Sequence, residues 1–222
     1  MRLKVRSNID QVLGFTSRLH PQFRFAAAKA LTDTVKGISA ATPGELTRAL
    51  DRPSQFTRSG LFVKPARKDA LQAAVGFKPK QAAYLGWQVD GGTRQPTRSA
   101  LRLPGDVTLN EYGNLPAGLI RQLIARAKAG RRATKRQAAR FGVSQEVDLF
   151  YGEPGDGRPA GIYKRVAISS TRHQLVPLVL FPKRGARYEQ RLDFYGFAGR
   201  LASASLDNNL RRAWRQAIST AR

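Results

Sequence analysis

Cysteine is absent from the 222 residues, which removes disulfides and thiolate metal sites from consideration. That absence is compatible with a reducing compartment. Histidine is nearly absent: only His20 and His173 occur, and neither has a second histidine at ligand spacing. Acidic residues are scarce, with fifteen Asp and Glu in all. Their closest pairs are Glu146/Asp148, Glu153/Asp156 and Glu189/Asp193, and the two-residue spacing of the first puts both carboxylates on one face of a strand. In so basic a chain these groups are expected to pair with guanidinium groups. A metal-dependent nuclease would gather carboxylates at a scissile phosphate, and no such constellation is legible. The chain is therefore read as non-enzymatic, with no catalytic residue, metal ligand or cofactor assigned. Long apolar runs are missing too. The longest, 175–181, contains Pro177 and is far too short to span a bilayer. The opening Met1-Arg2-Leu3-Lys4-Val5-Arg6 lacks a signal-peptide core. The expectation is a soluble protein, made in the cytoplasm, with no membrane partner.

Positive charge is what the sequence has in excess. Thirty-nine Lys and Arg against fifteen Asp and Glu give +24. A chain so charged repels itself, and is expected to have a polyanion or an acidic protein nearby. Most of the cations are Arg, whose planar fork suits both phosphate and subunit interfaces. They run along the whole chain, which argues for a charged surface or lumen and against a basic tail on a neutral domain. Hydrophobic residues make up 41%, enough for a real core.

Periodicity predicts an α+β fold. Phe23, Ala27, Ala30, Leu31, Thr34 and Ile38 recur at helical spacing over 22–41, giving an Ala-rich helix that Pro43-Gly44 should end. Residues 44–112 are punctuated by Pro and Gly, with short strand-like runs at 61–63 and 73–77, and 79–102 reads as irregular. This segment is expected to be an extended arm or insertion on a single structural domain, 1–222. Residues 113–222 are expected to hold a helix, an antiparallel meander and a C-terminal helix. Pro116 opens the middle helix, whose apolar face is Leu119, Ile120, Leu123, Ile124 and Ala127. The strand-like runs 147–151, 162–168 and 174–181 supply the meander. An amphipathic helix over 201–220 buries Leu206, Leu210, Ala213, Trp214 and Ala217. The run Gly152-Glu153-Pro154-Gly155-Asp156-Gly157 precedes a strand where a phosphate loop needs a helix, so it reads as a hairpin loop.

Arg131, Arg132, Lys135, Arg136 and Arg140 form the densest positive patch. Two readings stand for it: a solvated loop, or a contact for a polyanion or an acidic partner. Tyr84, Trp87, Tyr195 and Trp214 are candidate interface anchors, because aromatic residues dominate interface energetics.

Several short motifs carry a resemblance. Phe25-Ala26-Ala27-Ala28-Lys29-Ala30-Leu31-Thr32, Thr57-Arg58 and Val63-Lys64-Pro65-Ala66 resemble the minor tail protein Z, or tail-completion, class of tailed-phage virion proteins. Tyr84-Leu85-Gly86-Trp87-Gln88-Val89-Asp90-Gly91-Gly92-Thr93-Arg94 is similar to a segment in structural proteins of short-tailed phages and prophages. The same holds for Gly113-Asn114-Leu115-Pro116 before a helix, Gly161-Ile162-Tyr163, and Arg191-Leu192-Asp193-Phe194-Tyr195-Gly196. The long middle segment departs from the lambda-type Z protein. The resemblance implies a place in the head–tail neck, a homo-oligomeric ring around the DNA channel, and portal, adaptor or tail proteins as neighbours. Contact with DNA would be non-specific, and the ring would be assembled in the host cytoplasm and end in the virion. The alternative is a basic nucleic-acid-binding protein or a nuclease acting on phage DNA.

Overall fold

The computed structural model describes residues 2–6, 21–96, 101–129, 148–168 and 172–219. The architecture is α+β, with a long N-terminal helix, a long C-terminal helix packed on it, and small antiparallel sheets that include a four-stranded meander. The chain divides into two compact units, 1–92 with 188–222 and 93–187, where the sequence suggested one domain.

In the first unit, strands β1 (Arg2–Arg6), β2 (Leu61–Lys64) and β3 (Gln72–Phe77) form an antiparallel sheet in the order β1-β3-β2. Leu61 pairs with Phe77 and Val63 with Val75. Helix α1 (Pro21–Ala49) packs Ala27, Leu31, Val35 and Ile38 against Ala73 and Val75 of β3. Its Ala26 and Ala30 meet Ala213 and Ala217 of the C-terminal helix α5 (Phe194–Ser219). The two helices are antiparallel: Phe23 lies edge-on to Trp214, Asn209 donates to Thr34 Oγ1, and Ala198 packs into the cluster around Leu31 and Ile38. Small residues on both sides allow this close approach.

Helix α1 runs six residues past Pro43, where the sequence placed its end. Pro43 removes one backbone donor, but Leu46 in the following turn is fully buried with Phe77, Leu85, Val89, Leu192 and Phe194, and that burial outweighs the lost bond. Thr42 and Thr47 donate to the carbonyls of Ile38 and Pro43, satisfying hydroxyls on either side of the proline.

The arm expected over 44–112 does not describe residues 44–92. They contain the end of α1, a one-turn helix α2 (Gln55–Arg58), both hairpin strands and helix α3 (Pro79–Val89). Leu71, Ala73, Val75, Phe77, Leu85 and Val89 are core residues. Helix α3 corrects the irregular reading of 79–102: Pro79 occupies its first turn, and Gln81, Leu85 and Val89 recur on its buried face. Helix α5 also begins before residue 201, because Asp193 caps it by accepting the Gly196 amide at 2.9 Å.

The chain passes between the units through two short strands, β4 (Gly92–Arg94) and β9 (Ala186–Tyr188), which pair with each other. The second unit is an antiparallel sheet in the order β5-β8-β7-β6, made of β5 (Leu103–Pro104), β6 (Asp148–Gly152), β7 (Gly161–Ala167) and β8 (His173–Leu180). Pro177 stands within β8, a strand paired on both sides, and a register shift at Ile162/Tyr163 accommodates its missing donor. Helix α4 (Leu119–Ala129) covers the sheet with Leu119 and Leu123 against Leu149, Ile162, Leu178 and Val179.

Candidate basic surfaces

Cations are presented in both units, and the positive excess of the sequence is shared evenly between them. The five-residue patch Arg131, Arg132, Lys135, Arg136 and Arg140 lies outside the described residues, as do His20 and Glu146.

The expected anchors behave in two ways. Tyr84 and Trp87 are half-buried within the first unit: the Tyr84 hydroxyl shares a hydrogen bond with Thr57 Oγ1 at 2.9 Å, and the Trp87 ring packs against Tyr188. Trp87 also lies over Gly92, whose φ of +105° and that of Gly91 at +68° shape the turn after α3. Tyr195 and Trp214 stay partly open, at 43% and 36% exposure, each set edge-on against one neighbouring Phe.

The carboxylates pair largely as the arginine excess suggested. Asp148 accepts from Arg165 at 2.8 Å, and Asp193 lies 3.4 Å from Arg200 while capping α5. Asp156 accepts from Arg158 Nε at 2.8 Å, and this bond holds its carboxyl below the usual range. Glu153 instead faces Lys183, at 3.7 Å. The loop 153–160 joins β6 to β7, so the Gly-rich run is the hairpin loop expected, with Gly155 and Gly157 at φ near +80°. No group of three or more His, Cys, Asp or Glu placed to hold a metal occurs among the described residues. Nor is any helix there long and apolar enough to cross a membrane.

Two features escaped the sequence reading. Arg126 of α4 is only 9% exposed, and Nε, Nη1 and Nη2 are all buried without a hydrogen-bond partner among the described residues. Burial pushes this guanidinium below its ordinary pKa. It follows Leu119 and Leu123 on the same helical stripe, so periodicity alone could have marked it as inward-facing. The second feature is a cleft of about 390 Å³ in the first unit, between α1 and the β2–β3 connection. Among the described residues, Lys29, Lys36, Arg67 and Lys68 line it with one carboxylate, Asp33, and the partly exposed ring of Phe25. Its cations come from segments some thirty residues apart, which no linear scan brings together.

No family model, no curated protein and no solved structure matches the chain.

Proposed function

We propose that the chain is a non-enzymatic virion structural protein of the phage head–tail region, assembling as a ring subunit around the DNA channel. The observation that carries this reading is the distribution of charge: the excess runs through the sequence ranges of both compact units rather than being gathered in one tail. A subunit beside passing duplex needs delocalised phosphate attraction, while ordered base contacts would stall transit. Portal, adaptor or tail proteins are the neighbours this reading gives it, and partly exposed Tyr195 and Trp214 are its interface anchors.

Light scattering on the eluting protein, alone and with purified portal or tail rings, tests assembly. A closed multimer, or a monomer that joins a partner ring, is expected. A monomer that ignores those rings and binds one DNA sequence tightly would overturn the reading in favour of a nucleic-acid-binding protein. The patch Arg131, Arg132, Lys135, Arg136 and Arg140 is tested by changing all five to Gln. If it faces DNA, particles keep the subunit but lose DNA retention or ejection, and the salt slope of binding falls by about 0.9 per lost contact. If it docks an acidic neighbour, particles lack the subunit.

A further inference from the structure

The cleft between α1 and the β2–β3 connection combines three properties. First, its cations outnumber its acid. Asp33 is already engaged by Lys29 at 3.1 Å and by Arg212 at 3.7 Å, and Arg67 lies 3.3 Å from Asp69 in an exposed pair that a phosphate can displace, so Lys36 and Lys68 carry the uncompensated charge. Lys36 has no ion-pair or hydrogen-bond partner among the described residues and is exposed. Second, the loop carrying Arg67 and Lys68 is held in place. Arg24 Nε donates to the Lys68 carbonyl at 2.8 Å, the Ala66 amide donates to Thr32 Oγ1 at 3.0 Å, and Arg67 and Ala70 exchange backbone bonds at 3.0 and 3.1 Å. A loop whose backbone is already pinned leaves only the side-chain rotamers of Arg67 and Lys68 to be ordered by a ligand, which lowers the cost of binding. Third, an aromatic ring lines the same cleft. Phe25 is 37% exposed, and the Lys68 ammonium lies over its ring, 5.4 Å from the centroid.

A positive groove beside an open aromatic ring is the arrangement by which proteins hold single-stranded nucleic acid, charge tracking the backbone and the ring taking a base. We propose that this cleft is a single-strand site. It takes one nucleotide with its base against Phe25 and the flanking phosphates on Lys36, Arg67 and Lys68. On binding, the Lys68 ammonium moves from the ring to a phosphate and frees the face for stacking. Duplex DNA does not fit, because its bases are stacked on one another and cannot reach a ring set in a cleft of this volume. An acidic peptide would satisfy the cations and leave Phe25 without a role. The inference is independent of ring assembly and stands or falls separately from it.

Fluorescence anisotropy with a labelled oligothymidylate, a DNA duplex of equal length and polyglutamate tests the proposal on the full chain. Phe25→Leu is expected to weaken oligothymidylate binding by about 5- to 150-fold, the equivalent of one stacked base, with little change toward duplex or polyglutamate. Phe25→Tyr should bind like the parent, which separates stacking from damage to the fold. Lys36→Gln, Arg67→Gln and Lys68→Gln should each lower the slope of log affinity against log salt for the single strand by about 0.7. Equal losses on all three probes for Phe25→Leu, or no loss on any, would overturn the site. So would polyglutamate displacing the single strand at equal charge concentration, and the cleft would then belong to an acidic protein.

Discussion

A guanidinium with three buried nitrogens and no partner among the described residues, as at Arg126, is unfavourable, because an ion taken out of water without compensation costs several kcal/mol. Arg126→Met keeps the apolar stem and removes the charge, so the isolated protein should gain about 1–4 kcal/mol in urea unfolding. A loss of stability instead would mean that the guanidinium is paired in solution. Asp193 tests the opposite case, a polar group that is satisfied. Its bond to the Gly196 amide starts α5, so Asp193→Ala should cost about 1 kcal/mol and Asp193→Asn much less, again by urea unfolding. At Gly196 a Cβ would come within 2.1 Å of the Asp193 carboxylate, so Gly196→Ala should displace the cap. Asp156 gives a pH signature. The hydrogen bond from Arg158 favours its ionised form and lowers its pKa in the fold. Its contribution to stability is therefore present above the unfolded carboxylate value and lost as pH falls through the lower folded one. A carbon-detected NMR titration should place Asp156 below the ordinary carboxylate value, and Arg158→Gln should raise it.

Helices α1 and α5 meet through alanines, and that seam has no spare volume at Ala26, Ala30, Ala213 and Ala217. Ala30→Leu should therefore cost about 1–3 kcal/mol by overpacking, measured by thermal melting. Leu210 lies at the edge of the same cluster and is half-buried, so Leu210→Ala should cost less than removal of a fully buried leucine, for which about 2–5 kcal/mol is usual. The apolar stripes of α1 and α4 and the strands of the meander were legible in the sequence, because each buries one face at its own period. The length of α1 was not, since the gain from burying Leu46 depends on Phe77 and Phe194, which are distant in sequence. Helix α3 was hidden by Gly86 and by the Pro and Gly around it; its three buried residues recur at four-residue spacing, a signal that was present and outweighed. The early start of α5 rests on a single cap, Asp193, which is weak as a sequence signal beside the Phe194, Tyr195 and Phe197 that follow it. Among the candidate site residues, the sequence singled out four aromatic side chains as expected anchors, but it did not tell the internally packed Trp87 from the partly open Trp214.

Charge decides behaviour at the scale of the molecule. Exposed ion pairs such as Arg165–Asp148 and Arg200–Asp193 each contribute about 0–1 kcal/mol, and salt weakens them. Repulsion among the remaining cations acts against the compact state, and salt weakens that as well. The two effects have opposite signs, so the response to ionic strength shows which is larger. With a net charge of +24 and every carboxylate outnumbered by cations, repulsion should win. Raising salt from about 0.01 to 0.1 M shortens the screening length from about 30 to 10 Å, from the dimension of a small domain to that of neighbouring side chains. The melting temperature should rise over that interval, in contrast to a protein held by surface ion pairs. Because each unit has its own core and an equal share of the charge, amide exchange in β3 and in β7 should slow together on adding salt. A polyanion at low salt should stabilise further, since it binds the folded, charge-dense surface in preference to the extended chain. A melting temperature that fell with salt would mean that specific ion pairs, not the net charge, dominate the surface. The case for a polyanionic neighbour would then rest on the local clefts alone.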